Sequence, residues 1–210
     1  VVGGAPGDDF GVVGNNDNVG IHDQGSAYIF IRNSGTWTLQ AHLMDATLPT
    51  QSYYGSSVAV SGDTVAVGAN ANGNPSLQSA AYVYVRSGVD WSQQSRLLVD
   101  HPAGGQCVAL ALDGDRLAIG NFLATVNGNA EQGSVSLYER TGSEWSLETT
   151  VSASNGLAGD HLGRSVAISG GILLAGAPLR DGSSTDEGVA YTFYHEPLAW
   201  NQRSQLAVSG

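Results

Sequence analysis

The sequence contains no lysine, one cysteine (Cys107) and one methionine, and charged residues make up only 13% of its 210 positions. That is about half the ~25% usual in globular domains. Eight arginines scattered singly against 19 acids give a net charge of −11, so no dense basic stripe can form. Neutralising a phosphate backbone or an anionic membrane surface needs such a stripe, and no nucleic-acid partner is expected. A single cysteine excludes an internal disulfide framework and any CxxC-type zinc site. The longest apolar runs, such as 171–179, fall far short of the ~20 residues that cross a bilayer, so membrane insertion is not expected. No N-x-[ST] sequon occurs. No stretch sustains a 3.6-residue period either, because glycine or β-branched residues interrupt every candidate helix.

What the chain has is glycine, 29 in all, together with 41% apolar residues, and a repeat. Trp37, Trp91, Trp145 and Trp200 are spaced 54, 54 and 55 apart. Six residues after each comes an aliphatic (Leu43, Leu97, Val151, Leu206), and seven before each an aromatic (Phe30, Tyr84, Tyr138, Phe193). Two residues past that aromatic stand Arg32, Arg86, Arg140 and His195. A glycine closes a short apolar run at Gly4, Gly68, Gly120 and Gly176, with spacings of 64, 52 and 56, so insertions fall between this glycine and the aromatic strand. A fixed period of this size signals a repeat architecture.

Within one unit, Val58 to Val67 reads as two strands around Ser61-Gly62-Asp63, a tight-hairpin signature. Leu110 to Ile119 and Val166 to Ala175 are its equivalents. A third strand is predicted at Ala27 to Arg32, Ala81 to Arg86, Val135 to Arg140 and Ala190 to His195, and a fourth begins at each tryptophan. The fold class is therefore all-β. Four antiparallel strands per ~54 residues, repeated four times, is the pattern of β-propeller blades, with a single long sandwich as the alternative. We read 1–210 as one propeller region with repeats at about 1–55, 56–108, 109–163 and 164–210.

Gly4-Ala5-Pro6, Gly176-Ala177-Pro178 and Gly68-Ala69-Asn70, with Tyr54-Gly55 and Leu162-Gly163 ahead of the Ser-Val-Ala strands, resemble FG-GAP repeats. These are the blades of the integrin α-subunit propeller and of many secreted or surface proteins of microbes. The third unit departs most: Gln106-Cys107 stands at Phe-Gly, and Gly120-Asn121-Phe122 at Gly-Ala-Pro. The resemblance implies an extracellular or cell-surface location and a non-catalytic role in binding or assembly, with a protein or a polysaccharide as partner. The first unit shows no innermost strand, so fifteen strands are expected where four full blades need sixteen. The absent strand is expected from further blades of a longer chain or from another copy, with a four-bladed ring as the alternative.

In a propeller the loops joining strands two and three, and those joining blades, emerge on one face. Here these long loops carry Asp8, Asp9, Asp17, Asp23, Asp45, Asp100, Glu131, Asp160, Asp181, Asp186 and Glu187, with Arg180 opposing. Function on loops carried by a rigid scaffold would lie there. Calcium takes several oxygens from one loop, and Asp8, Asp9, Asn15, Asp17 and Asp23 are the candidate ligands. Asn15, Asp17 and Asp23 resemble an integrin cage loop, although Val19 occupies an oxygen-ligand position. The tryptophans are expected to be equivalent, buried packing residues, not sugar-stacking platforms. The repeated arginines are expected to pair with acids or stack on aromatics. His22, His42, His101, His161 and His195 form no metal motif, and Cys107 reads as an inert thiol. No Gly-x-Ser-x-Gly elbow or phosphate loop occurs. A binding module is therefore favoured; a calcium-assisted, lectin-like propeller is the alternative, and an enzyme with a site at the channel mouth a weaker one.

Overall fold

The computed structural model describes residues 1–8, 23–70, 78–99, 109–181 and 187–207. Among them lie fifteen strands and no helix. Sheet 1 has three strands, β1 (Val2–Ala5), β2 (Ser26–Asn33) and β3 (Thr36–Leu43). Sheet 2 has four: β4 (Ser57–Ser61), β5 (Thr64–Ala69), β6 (Ala80–Ser87) and β7 (Asp90–Leu98). Sheet 3 comprises β8 (Ala109–Asp113), β9 (Arg116–Asn121), β10 (Ser134–Thr141) and β11 (Glu144–Val151). Sheet 4 comprises β12 (Ser165–Ser169), β13 (Ile172–Ala177), β14 (Val189–Glu196) and β15 (Ala199–Leu206). Every sheet is an antiparallel meander of neighbours in sequence, and each lies within one repeat.

The first two strands of sheets 2, 3 and 4 are joined by two-residue turns, Gly62-Asp63, Gly114-Asp115 and Gly170-Gly171. Their first glycines have φ of 56°, 57° and 56°, the left-handed geometry that matches strand twist in a tight hairpin. A second device recurs where the sequence gives no sign of it. The register slips between Ile29/Phe30, Val83/Tyr84, Leu137/Tyr138 and Thr192/Phe193, so Gln40, Gln94, Glu148 and Arg203 are the extra residues of the outer strands at these bulges. Such bulges re-aim a side chain. In two sheets the re-aimed side chain reaches the sheet that follows: Gln40 accepts the Trp91 indole N–H at 3.1 Å, and Glu148 meets His195 at 3.0 Å.

The chain divides into two compact units, Val1–Leu98 with Ala103–Val108, and Val99–Pro102 with Ala109–Gly210. The first contains sheets 1 and 2 face to face, around Ala27, Ile29, Leu43, Tyr54, Val65, Val67, Tyr82 and Tyr84. The second contains sheets 3 and 4 in the same relation, around Val135, Leu137, Val151, Leu162, Leu173, Ala175, Tyr191, Phe193 and Trp200. Alternation along each strand supplies both cores: Ala27 and Ile29 face sheet 2, as Val135 and Leu137 face sheet 4.

The tryptophans are not equivalent. Trp145 and Trp200 are buried and Trp91 packs on the core of its unit, but Trp37 is 51% exposed. Trp91 sits on the face that sheet 2 turns toward sheet 1, and Trp200 on the face that sheet 4 turns toward sheet 3. Within its unit, sheet 1 has no earlier sheet to cover Trp37. Expecting four equal core residues therefore fails at this position. Arg86 and Arg140 meet both expectations made for the repeated arginines, and Arg32 meets the stacking one, its guanidinium lying 5.9 Å from the Trp37 ring centre. Arg86 pairs with Asp63 (Nε to Oδ1, 2.7 Å) and lies over Trp91, and Arg140 pairs likewise with Asp115 at 2.7 Å and lies over Trp145. In sheet 4 Gly171 stands in place of the turn acid and His195 in place of the arginine, its ring 5.1 Å from that of Trp200.

Candidate functional site

Two constructions stand out: the joint between paired sheets, and a recess at the long-loop end of the first unit. In the joint, a bulky hydrophobic residue followed by glycine precedes the first strand of sheets 2 and 4, Tyr54-Gly55 ahead of β4 and Leu162-Gly163 ahead of β12. Tyr54 and Leu162 are wholly buried. Both glycines have φ of 89°, which excludes ordinary side chains. Gly55 N–H donates to Gly68 C=O at 2.8 Å, and Gly163 N–H to Gly176 C=O at 2.9 Å, tying the pair to its own sheet.

The preceding sheet grips the pair from the other side. Tyr54 N–H donates to Gln24 C=O at 2.8 Å and Leu162 N–H to Gln132 C=O at 2.9 Å, next to the parallel bridges Gly25 to Tyr54 and Gly133 to Leu162. A methyl group on Gly4 would overlap the carbonyl of Gly55, one on Gly120 the carbonyl of Gly163, and one on Gly25 or Gly133 the carbonyl of Tyr54 or Leu162. Two glycines per receiving sheet, Gly4 with Gly25 and Gly120 with Gly133, therefore let one backbone lie directly on another. The Tyr54 hydroxyl donates to Tyr84 Oη at 2.8 Å inside the core, and burial, then Tyr84, pushes its pKa far above the usual tyrosine value.

The repeat model described as FG-GAP repeat matches residues 37–84 and 145–193. Each matched segment runs from a tryptophan to the aromatic of the next sheet and encloses one hydrophobic-glycine pair with the glycine of its own sheet to which it bonds, Gly68 or Gly176. The chain carries FG-GAP repeats. No curated protein matches it. FG-GAP repeats are commonly extracellular, adhesion-type modules. Among the described residues no helix is long and apolar enough to cross a membrane.

Among the described residues, the recess lies between loop 44–54 and the two ends of a second loop, at Asn70 and Gln78, with a volume of about 280 Å³. Asp45 and Ser52 come from the first loop, Asn70 and Gln78 from the second, and Tyr82 and Arg96 from the strand ends behind them. Tyr82 and Arg96 are cross-strand partners, and the guanidinium lies 5.5 Å from the ring centre. Burial raises the Tyr82 pKa. Asp45 Oδ1 is engaged by its own loop, accepting from Thr47 N–H at 3.0 Å and Thr47 Oγ1 at 2.6 Å. The second unit fills the corresponding place with its own side chains. Tyr191 Oη donates to Asn155 Oδ1 at 3.1 Å, Asn155 Nδ2 donates to Gln205 at 2.9 Å, and Arg180 stands 3.6 Å from the buried Asp160.

Sequence reasoning named Asp45 but missed Arg96, Tyr82, Asn70 and Gln78, which come together only through strand register. Of the calcium candidates, Asp9, Asn15 and Asp17 lie outside the described residues, as do Cys107, His22 and His101. Asp8 accepts from Ser26 Oγ and Tyr28 Oη, both at 2.6 Å. These bonds, with His42 nearby, hold its carboxyl below the ordinary 3.8. Asp8 C=O accepts Gly25 N–H at 3.0 Å, and Asp23, at φ 58°, lies two residues before that glycine. The loop acids are less free than their number suggests: Glu131 pairs with His161 at 3.0 Å and Asp160 accepts from Leu157 N–H at 2.7 Å.

Proposed function

We propose that the four sheets are blades of a β-propeller and that the chain is an extracellular or cell-surface, non-catalytic binding module, holding a protein or polysaccharide at its long-loop end. The observation that carries this reading is the open recess of the first unit, where an aromatic ring, a guanidinium, a carboxylate and two carboxamides converge. Fixed groups of mixed polarity suit a hydroxyl- or amide-rich surface, and among the described residues the recess is lined by one carboxylate, Asp45. The test is a glycan array and a pull-down of surface proteins, each repeated with the double variant Asp45→Ala/Arg96→Ala. Ligand binding is expected to weaken at least about tenfold in the variant, as for loss of a well-placed charged pair. Binding that is indifferent to both substitutions, or turnover of a small substrate, would contradict the reading.

Calcium is a second proposal, supported by Asp8, whose carboxylate is held ionised, and by the backbone bond that brings it beside the chain leaving Asp23. The ligands would come from Asp8, Asp9, Asn15, Asp17 and Asp23. Calorimetry is expected to show calcium heat that is lost in an Asp8→Ala/Asp23→Ala variant. Absence of heat, with a melting temperature indifferent to chelator, would refute it.

A further inference from the structure

The recess of the first unit keeps polar groups that its own surroundings do not use. Loop 44–54 spends its hydroxyls internally: Thr47 donates to Asp45 Oδ1 through both N–H and Oγ1, and Ser52 Oγ donates to Pro49 C=O at 2.6 Å. Among the described residues nothing donates to Asp45 Oδ2. Arg96 forms no ion pair among them either, its guanidinium lying over the Tyr82 ring instead. The Tyr82 hydroxyl is buried without a hydrogen-bond partner, and Arg96 approaches it without reaching bonding geometry. A buried hydroxyl left in this state forfeits the bonds it makes in water, so keeping it costs stability.

The fold does not demand these leftovers, because the second unit builds the same place without them. Tyr191 pairs with Gln205 across the strands as Tyr82 does with Arg96. There the tyrosine hydroxyl donates to Asn155, Asn155 donates to Gln205, and Arg180 stands beside Asp160. The second unit thus closes on itself, whereas the first leaves an acceptor (Asp45), a donor (Arg96) and a group of both kinds (Tyr82) facing one space.

That set selects a ligand. An anion would meet Asp45 and the net charge of −11, and a cation would meet Arg96. A hydroxyl both gives and accepts a hydrogen bond, so two neighbouring hydroxyls satisfy both charges at once. At about 280 Å³ the space lies at the small end of ligand pockets, which run to roughly 1,000 Å³, and takes one small unit. The Tyr82 ring is itself buried, so no exposed aromatic wall is offered of the kind that anchors a protein hot spot. We propose that the recess binds one uncharged sugar ring through a pair of neighbouring hydroxyls, which donate to Asp45 Oδ2 and accept from Arg96 and the Tyr82 hydroxyl. This rests on the binding-module reading above and narrows its ligand to a neutral glycan.

The probes are methyl β-D-galactopyranoside, methyl β-D-glucopyranoside and methyl α-D-mannopyranoside, titrated into the full chain by amide NMR. At least one is expected to bind with a Kd below about 10 mM, shifting the amides of Asp45, Asn70, Gln78 and Arg96. D-glucuronate and D-glucosamine, the charged counterparts, should bind at least about threefold more weakly. Tyr82→Phe removes an oxygen that the protein itself leaves unbonded. It should weaken the sugar about three- to tenfold, as for one lost hydrogen bond, while melting no lower than the parent. Asp45→Asn, which keeps the shape, should weaken it about tenfold. Tighter binding of either charged sugar, or a Tyr82→Phe variant that melts below the parent, would overturn the inference. If all three glycosides fail while a purified surface protein binds through Asp45 and Arg96, the sugar falls and the binding module stands. Absence of sugar and protein binding alike would remove both.

Discussion

Replacing Gly120 by alanine is expected to lower the stability of the second unit by about 3 kcal/mol or more, while the same change at Gly176 costs less than about 1 kcal/mol. The two glycines occupy the same position in successive sheets and differ in what lies above them. A methyl group on Gly120 meets the main chain of Gly163, which cannot turn aside by changing rotamer, so the sheets must part or a strand must shift. On Gly176 it meets Ser165 Oγ at 2.5 Å, and a hydroxyl can rotate away. In a chain of this size about 3 kcal/mol corresponds to a drop of roughly 6–12 °C in melting temperature. Thermal melts of the two variants against the parent check this, and equal melting temperatures would show that the backbone contact is not what holds sheets 3 and 4 together.

Truncating Trp200 to alanine should cost about 3–5 kcal/mol, the range for a core aromatic, and truncating Trp37 less than about 1 kcal/mol. Trp200 is part of the core between sheets 3 and 4, where its removal leaves a cavity. Trp37 already gives half its surface to solvent and retains the Arg32 guanidinium 5.9 Å from its ring centre. Urea unfolding of both variants measures the difference. Equal losses would restore the equivalence that the repeat spacing suggests.

That equivalence shows what a sequence of this kind discloses. The period, the hairpins around Gly62, Gly114 and Gly170, and the aromatic and tryptophan strands are legible because they depend on contacts within one sheet, and each sheet repeats them. The pairing of Arg86 with Asp63 and of Arg140 with Asp115 is legible for the same reason. What depends on the neighbouring sheet is not. Trp37 and Trp200 have the same local sequence setting and opposite surroundings. The bulges at Gln40 and Glu148 leave the spacing of the hydrophobic residues intact, so nothing in the pattern betrays them, yet they aim the side chains that reach the next sheet. The recess is hidden more deeply, since Asp45, Asn70 and Arg96 are far apart along the chain and belong to no motif. Glycine was visible everywhere as a turn residue, but at Gly4, Gly25, Gly120 and Gly133 it serves a close approach of two backbones, which only the stacking of sheets reveals.

The central claim is that the hydrophobic-glycine pair and the glycine that answers it form the joint between consecutive sheets. Native-state amide hydrogen exchange at Leu162 and Gly163 tests it most directly, because these two N–H groups donate across and within the joint, to Gln132 and Gly176. If the joint is structural, both amides will exchange as slowly as the central strand β10, through unfolding of the whole unit. Fast exchange at Leu162 and Gly163 beside a fully protected β10 would contradict the account.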